Sequence, residues 1–451
     1  MISSSEPDNS TPIPPNKQFY FFLLPLEGMP IFSRNSAFAR VTSLAGQRPV
    51  HAAFTWLHNN PKTLMDRQME LVVIPAPPFG EQARSEWAAA KFREIGLEKV
   101  QIDGIGNVLG FVPAPHLSPE STGHVVVLSA HIDTVFPADT PLVPTLTRED
   151  DANRLAAPGA CDNAAGVIGM LALAESLVQA KVKVPVPILM LANVGEEGEG
   201  DLRGVRHFYE QRELAGRVAA HVVLDGAGAD SAVSQALGSR RFQVTIKGPG
   251  GHSFTDSGTP NPIVALSSAI AALSRTPVPE RPTTTLNVGT VQGGTSVNSI
   301  PETATASTDF RSTSSEELLR LEVALHRAVE DAVAQANAAA RNLNHRNRGV
   351  LTFTIDKIGD RPAAQLPADS PVLDALRAVD RHLGIQTDLR LGSTDANIPI
   401  ALGIPALSVG AGGDGGGAHT VAEWYSDKNR EIGLRRVLLL TLALAEWAAE
   451  Q

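Results

Sequence analysis

The sequence predicts an α/β fold, in which a mixed, largely parallel sheet is covered by helices and interrupted by a smaller α+β domain. Helical segments alternate with short apolar runs, which is typical of sheets with both faces covered. Polar clusters stand at the ends of several apolar runs, where open α/β sheets gather their sites. A long stretch of chain separates Asp225 from the last cluster at His419, so we expect an insertion between two parts of one α/β domain.

Residues 1–50 are predicted to form an N-terminal extension that is partly disordered. Ser3–Pro15 is rich in serine, proline, asparagine and threonine, a composition that disfavours a packed core. Phe19–Leu26 is apolar, but it is too short to span a membrane and lacks the basic flank of a signal peptide. We therefore expect no membrane partner.

Residues 51–235 are predicted to form the first part of the catalytic domain. Glu86–Gly96 has the pattern of an amphipathic helix that ends at glycine, and Asn163–Ala180 is an Ala/Leu-rich helical segment. The predicted buried strands are residues 125–130, 186–194 and 221–224.

Residues 236–350 are predicted to form the insert, whose βαββα order suits a small α+β sandwich. The predicted elements are Arg241–Lys247, the helix Asn261–Leu273, the strands Thr284–Val291 and Thr303–Phe310, and a long helix after Ser314. Ser314 and Glu317 have the spacing of a capping box. Residues 351–451 complete the catalytic domain, with a helix that begins at Pro371 and ends before Gly384.

The composition favours a large buried core and excludes some partners. The 451 residues are 43% hydrophobic and carry a net charge of −10, which offers no broad basic surface for nucleic acid. The single cysteine, Cys161, excludes an intrachain disulfide and is compatible with the cytoplasmic location that we expect. Cys161 itself suits a small buried side chain better than a thiolate metal ligand.

Histidines and carboxylates stand where predicted strands end. His131 and Asp133 follow the strand 125–130 and, being two apart, project from the same side of the chain. His131 suits a metal ligand, and Asp133 suits the carboxylate that orients its second ring nitrogen. Glu196 and Glu197 follow the strand 186–194, and adjacent side chains on an extended chain point in opposite directions. One glutamate can therefore bind metal while the other handles a proton.

Asp162, Asp225 and His419 add further oxygen and nitrogen donors from clusters of their own. Taken singly, each of these residues is more often a helix cap, a turn residue or a solvated charge. Together they indicate a metallohydrolase with one or two zinc-like ions. The sequence has no G-x-S-x-G nucleophile motif, and the glycine run at 412–417 lacks the lysine of a phosphate-binding loop.

The motifs H-I-D-T-V, G-A-C-D-N-A-A-G, G-E-E-G-E-G, V-L-D-G and A-H-T make residues 50–450 similar to the M20 family of dizinc peptidases and amidohydrolases. The resemblance implies a zinc-peptidase-like catalytic domain with an inserted lid or dimerisation domain. It also implies two Zn²⁺ per chain, with Co²⁺ or Mn²⁺ as alternatives. The implied roles are one zinc on His131, Asp162 and Asp225, a second on Glu197 and His419 with Asp162 bridging, and Glu196 as general base.

Within the insert, the resemblance implies functions for His252, Asn298 and Arg311. His252 would come from the partner subunit of a homodimer and stabilise an oxyanion, although the sequence leaves open whether it acts within its own subunit. Asn298 and Arg311 would grip a substrate carboxylate or backbone, a task that suits the planar guanidinium. Without the resemblance, the three are a turn residue, a loop cap and a surface ion-pair partner.

The sequence favours one activity and leaves two alternatives. An aminopeptidase or di/tripeptidase acting on small peptides is preferred, because Asp162–Gly166 looks similar to peptidase T-like chains. An N-acyl-amino-acid amidohydrolase (deacetylase) or carboxypeptidase would use the same ligands. A non-catalytic metal- or peptide-binding protein would keep the fold, but it would have no evident need for Glu196.

Overall fold

The computed structural model describes residues 34–115, 117, 123–342 and 349–451. The segments Ser3–Pro15 and Phe19–Leu26 lie outside these residues. Among the helices that are described, none is both long and apolar enough to cross a membrane.

The described residues form twelve α-helices and nineteen strands. The helices are α1 (Arg34–Ala45), α2 (Arg48–Asn59), α3 (Pro61–Val72), α4 (Gln82–Ile95), α5 (Ala164–Gln179), α6 (Arg203–Glu210), α7 (Arg212–Ala215), α8 (Pro262–Leu273), α9 (Ser315–Asn342), α10 (Pro371–Leu383), α11 (Asn397–Ala401) and α12 (Arg430–Ala448). The strands are β1 (Glu98–Ile102), β2 (Val108–Phe111), β3 (Val125–His131), β4 (Thr145–Glu149), β5 (Ala152–Ala156), β6 (Ile188–Asn193), β7 (Val218–Leu224), β8 (Ser231–Ala236), β9 (Gly238–Lys247), β10 (Gly251–His252), β11 (Thr284–Gly293), β12 (Ser299–Ile300), β13 (Thr303–Ser312), β14 (Thr352–Arg361), β15 (Ala364–Gln365), β16 (Asp388–Gly392), β17 (Ala406–Val409), β18 (Asp414–Gly416) and β19 (Trp424–Ser426).

The largest sheet has nine strands in the order β1-β2-β6-β3-β7-β17-β8-β15, with β16 paired to β8. Its centre is parallel, because β3 runs parallel to β6 and β7, and β7 runs parallel to β17. The pairs β1–β2, β2–β6, β17–β8 and β15–β8 are antiparallel. The pair β16–β8 is also parallel. The predicted α/β fold with a mixed sheet is confirmed, and three of the four parallel pairs among the described strands lie at the centre of the sheet.

Helices cover both faces of this sheet. On one face α5 and α12 pack against β3 and β7. On the other face Phe208 of α6 joins Val127 and Leu189 in a smaller core. The strands β3, β6 and β7 are buried along their whole length, which explains why they are continuous apolar runs in the sequence.

The structure tests the local sequence signals at three helix ends. Asn163 caps α5 by accepting a hydrogen bond from Gly166 N, and α10 ends before Gly384, which has a φ of 70°. Glu317 N donates to Ser314 Oγ at the start of α9 (3.3 Å). The Glu317 carboxylate, however, binds Arg320 instead of completing the predicted capping box.

The insert has a separate antiparallel sheet in the order β11-β13-β9-β14, with α8 and α9 packed against it. Its buried side chains, including Phe242 and Phe310, form a core distinct from that of the main sheet. The predicted βαββα order omits β14, the fourth strand of this sheet, and the short ribbon β10–β12. β14 pairs with β9 along Thr352–Arg361. β13 covers only one edge of β9, and β14 satisfies the backbone N–H and C=O groups of the other edge. The inserted sheet therefore continues beyond the predicted boundary at residue 350.

Residues 34–50, which the sequence assigns to the N-terminal extension, are largely helical. This segment forms α1 and the start of α2. Ala37, Val41 and Leu44 of α1 are buried, and α1 packs against α10 and α12. The three residues lie on one helix face, but the helices that cover this face come from the far end of the chain.

A polar network lies inside the main sheet at His221. His221 on β7 is fully buried, with Nδ1 2.9 Å from Tyr209 Oη and Nε2 2.7 Å from Ser129 Oγ. Burial lowers the pKa of this imidazole to about 3. His221 therefore stays neutral in the folded protein at any ordinary pH.

We expect His221 to make the fold sensitive to mild acid. The unfolded imidazole titrates near 6.5, so protons bind the unfolded chain preferentially as the pH falls from about 6.5 towards 3, and stability is lost at up to about 1.4 kcal/mol per unit. The stability is fully present above that range. In metal-free protein, the thermal midpoint of the wild type should fall more steeply below about pH 6.5 than that of His221→Gln. Parallel curves would contradict this role.

Candidate active site

Strands β3, β6 and β7 deliver the polar clusters to one edge of the main sheet. These strands are parallel neighbours, and His131 lies opposite Asn193 in the β3–β6 ladder. The carboxyl ends of parallel neighbours meet at the same edge, so the loops that follow them converge. His131 ends β3, the Glu196–Glu197 pair follows β6 and Asp225 follows β7.

Asp133 connects two of these loops. His131 Nδ1 lies 3.5 Å from Asp133 Oδ1 and 3.2 Å from the Asp133 carbonyl oxygen, so Nε2 is the ring nitrogen that faces the other predicted ligands. The Asp133 carboxylate also accepts hydrogen bonds from the backbone N–H of Glu196 (3.0 Å) and Glu197 (2.9 Å). The sequence predicted the orienting contact with His131. It gave no indication that Asp133 also holds the glutamate pair.

Asp162 lies between the two histidines. Its Oδ1 is 3.2 Å from His131 Nε2, and its Oδ2 is 3.1 Å from His419 Nε2. His419 Nε2 is also 3.0 Å from Glu197 Oε1, and His131 Nε2 is 4.0 Å from Asp225 Oδ1. Each oxygen of one carboxylate therefore faces a different imidazole, as a bridging ligand requires.

The five predicted ligands fall into two overlapping groups. In each group the candidate ligand atoms lie within 4.8 Å of one another, and the groups are His131, Asp162, Asp225 and Asp162, Glu197, His419. A third group of the same kind joins Glu196 to His131 and Glu197. The structure thus brings all five residues together, with Asp162 common to both groups and Glu196 beside them.

Negative charge accumulates in this cluster. Burial, followed by the charge of Asp162, raises the pKa of Asp225 to about 7. Burial, followed by the charge of Glu196, raises the pKa of Glu197 to about 8. Crowded carboxylates beside two imidazoles are the donor set that divalent zinc-like ions use, and bound cations would remove the repulsion. The residues therefore fit a dinuclear metal centre.

Two residues that hold Asp162 were not anticipated. The buried Glu423 carboxylate accepts hydrogen bonds from the backbone N–H of Cys161 and Asp162, both at 2.7 Å. Asn163 donates to the carbonyl oxygen of Leu224 (2.9 Å) and accepts from Gly226 N (3.0 Å), which ties the loop of Asp162 to that of Asp225. The Asp162–Asn163 peptide bond is cis.

Cys161 is packed as a thiol. Burial raises the pKa of the Cys161 thiol to about 12. A Cβ placed on Gly415 would lie 2.4 Å from its Sγ, so the glycine run approaches Cys161 closely. The interpretation of Cys161 as a small buried side chain is favoured over a thiolate ligand.

Arg361 is a further site residue that the sequence did not signal. It lies at the end of β14 and is 6% exposed. Its Nη1 donates to Glu196 Oε1 (2.9 Å), and its Nη2 donates to the carbonyl oxygen of Glu196. Burial raises the pKa of Glu196, and the charge of Arg361 opposes this shift.

His252 and Asn298 lie side by side at an exposed tip of the insert. β10 and β12 form a two-stranded ribbon in which His252 pairs with Ser299, and Ser253 N donates to the Asn298 carbonyl oxygen (3.0 Å). In the part of the chain that the structure describes, neither side chain has a hydrogen bond or ion pair with the predicted metal ligands.

Arg311 lies on the face of the inserted sheet that carries Arg361. Arg311 pairs with Ser239 across β13–β9, and Ser239 pairs with Arg361 across β9–β14. Asp309 accepts hydrogen bonds from both Arg311 (2.8 Å) and Arg241 (3.2 Å). Arg241 also donates to Gly198, next to the glutamate pair (3.2 Å). Arg311 on β13 is therefore two strands away from Arg361 on β14, which contacts Glu196.

Solved structures share this fold. They include the aminopeptidase PepT from Bacillus cereus (TM-score 0.64, 20% identity, 86% of this chain and 98% of that one) and a tripeptidase from Staphylococcus aureus (0.63, 22%, 85% and 98%). A protein from Bacillus subtilis described as a dinuclear metal-binding peptidase of the M20 family is also similar (0.55, 18%, 86% and 97%). At these identities the likeness establishes the fold.

Sequence comparison identifies the family. A protein from Aspergillus clavatus named "Probable carboxypeptidase" is 25% identical over 375 residues, which cover 77% of this chain and 78% of that protein. One from Aspergillus oryzae with the same description is 28% identical over 212 residues, 43% of this chain and 47% of that protein. The pattern of Peptidase family M20/M25/M40 matches residues 127–443. Because this match covers most of the sequence, the chain belongs to Peptidase family M20/M25/M40 and is a hydrolytic enzyme.

Proposed function

We propose that the protein is a dizinc peptidase that hydrolyses amide bonds in small peptides, with Glu196 as the general base. The observation that carries this proposal is the placement of the buried Glu196 carboxylate. It lies within 4.8 Å of ligand atoms on His131 and Glu197, yet Arg361 holds one of its oxygens. A carboxylate beside the ligands, held by a separate residue, suits proton transfer better than metal binding alone.

In this proposal, five residues bind the metal ions and Glu196 transfers the proton. His131, Asp162 and Asp225 would hold one ion, and Asp162, Glu197 and His419 the other. When bound, such ions supply Lewis acidity that lowers the pKa of a water from 15.7 to about 7. Glu196 takes the proton of the attacking water and returns it to the leaving amine.

His252 is prepared to donate a hydrogen bond. Its Nδ1 accepts from the backbone N–H of Phe254 (3.2 Å) and Thr255 (3.4 Å). The neutral ring therefore carries its proton on Nε2, which is free to stabilise an oxyanion. Since His252 has no hydrogen bond with the predicted ligands of its own chain among the described residues, we propose that it reaches the site of a second subunit in a homodimer.

Subunit mixing tests this trans arrangement. Two inactive variants, His252→Ala and Glu196→Gln, are combined under conditions that allow subunit exchange. If His252 acts across subunits, each heterodimer regains one site with both residues, and up to about a quarter of wild-type activity should return. Proven exchange without any recovery would favour a role within one subunit or no role.

End-blocked substrates test the proposed activity. With zinc present, the enzyme should cleave free di- and tripeptides, and removal of the metal should abolish turnover. N-terminal acetylation should block cleavage if the free amine is recognised, as in an aminopeptidase or a di/tripeptidase. Metal-loaded protein that cleaves none of the peptides or N-acyl amino acids would contradict the proposal.

A carboxypeptidase is the second candidate. The curated relatives from Aspergillus carry that name. In addition, Arg311 and Arg241 share one acidic partner among the described residues, Asp309, so this face has cationic capacity for a substrate carboxylate. When peptides amidated at the C-terminus are added to the panel, a carboxypeptidase should accept the N-acetylated peptides and reject the C-terminal amides.

A further inference from the structure

The inserted sheet and the loop of the glutamate pair are joined by several contacts, which range from buried at Arg361 to exposed at Arg241. Besides Arg361, the neighbouring backbone N–H of Asp360 donates to Asp201 Oδ2 (2.9 Å), and Arg206 Nη2 donates to the Asp360 carbonyl oxygen (2.9 Å). Arg241 on the adjacent strand donates to Gly198 (3.2 Å). The end of β14 is therefore fixed to the segment that carries Glu196.

Arg361 contacts both the side chain and the backbone of Glu196. One guanidinium nitrogen binds the carboxylate at Oε1, and the other binds the backbone carbonyl oxygen. The same Nη1 also donates to Ser393 Oγ (3.2 Å), and the Nε lies 3.8 Å from Asp201 Oδ1. These contacts leave the guanidinium little freedom, and a planar group held in this way fixes the direction of the carboxylate it binds.

Glu196 needs such a support. A glutamate side chain has several freely rotating bonds, and a general base must lie within hydrogen-bond reach of the proton that it removes. The backbone N–H of Glu196 donates to Asp133 Oδ1, which fixes the backbone of Glu196 and not the direction of its carboxylate. Among the hydrogen bonds of the described residues, the one that orients the Glu196 carboxylate comes from Arg361.

We propose that Arg361 is a positioning residue: it holds the carboxylate of Glu196 in the direction required for proton transfer and thereby couples this base to the inserted sheet. This inference rests on the proposed role of Glu196. Arg361 acts through Glu196 and does not need to contact the substrate.

Two substitutions of Arg361 measure this effect. Arg361→Gln should lower kcat by about 10²-fold, the cost typical of a reacting group displaced by about 1 Å. KM should change by less than about threefold, because no substrate contact is lost. Arg361→Lys keeps the charge but cannot make both contacts in a fixed plane, so it should recover part of kcat.

Arg240→Gln is the matched control. Arg240 lies on the adjacent strand β9 and is half-buried, and its partners Glu322 and Asp360 belong to the insert. This variant should keep wild-type kcat. Metal content and the thermal midpoint are measured for every variant. If Arg361→Gln does not fold, Arg361→Lys carries the test, and wild-type kcat in that variant would overturn the proposal.

A double-mutant cycle separates positioning from a general structural role. If Arg361 acts only through the base, Arg361→Gln should have little further effect on kcat in a Glu196→Gln background. A second drop of equal size would overturn the proposal, as would an effect confined to KM. Wild-type turnover in Glu196→Gln alone would instead refute the base itself. A strong effect of Glu196→Gln with none of Arg361→Gln would refute only the positioning.

Discussion

Replacing Glu196 with glutamine should lower kcat by about 10²–10⁴-fold, the range attributed to a positioned general base. The amide has nearly the same shape and still offers an oxygen to Arg361, but it cannot take a proton from water. Metal content should be unchanged, since Glu196 is not one of the five predicted ligands. The measurement is kcat on a cleaved peptide, with zinc determined by elemental analysis.

Glu199→Gln provides the matched control for this variant. Glu199 lies in the same acidic segment but is exposed to solvent. It should keep wild-type kcat, because the loss of one exposed charge is screened by solvent. Wild-type turnover in Glu196→Gln would show that a different group accepts the proton.

Removing Asp162 should have the largest effect on the metal centre. Its two oxygens face different imidazoles, at 3.2 and 3.1 Å, and it belongs to both ligand groups. Asp162→Ala should therefore reduce bound zinc from about two ions per chain to one or none, with loss of turnover. Elemental analysis of purified protein gives the stoichiometry.

Asp225→Ala provides a comparison with Asp162→Ala. Asp225 belongs to one of the two ligand groups, so its loss should weaken one ion and leave the other in place. Equal stoichiometry in Asp162→Ala and wild type would remove Asp162 from the bridging position. Equal loss in both variants would mean that the two ions bind as a unit.

The strands and the polar residues at their ends were predictable because local signals define them. The runs that became β3, β6 and β7 are buried on both faces, which makes them continuously apolar in the sequence. Once such strands are parallel, geometry brings the residues after them together. The candidate ligand set was predicted in this way, with the help of the ordered motifs that resemble the family.

The residues that support the ligands were not predictable, because their partners are distant in sequence. Glu423 accepts hydrogen bonds from backbone groups more than two hundred residues earlier, and Arg361 reaches Glu196 across 165 positions. A lone acid or arginine in a sequence has no local feature that distinguishes such a role from a solvated charge. β14 was missed for the same reason, since its place depends on the open edge of β9.

The sequence by itself determined the α/β class, the alternation of buried strands with capped helices, and the residue types available for a metal centre, since each depends on periodicity or on near neighbours. Only the tertiary structure decided that Asp162 faces both His131 and His419, that β14 completes the inserted sheet, and that Arg361 holds Glu196. These depend on how distant segments pack, and packing distances are not encoded in the spacing of residues along the chain.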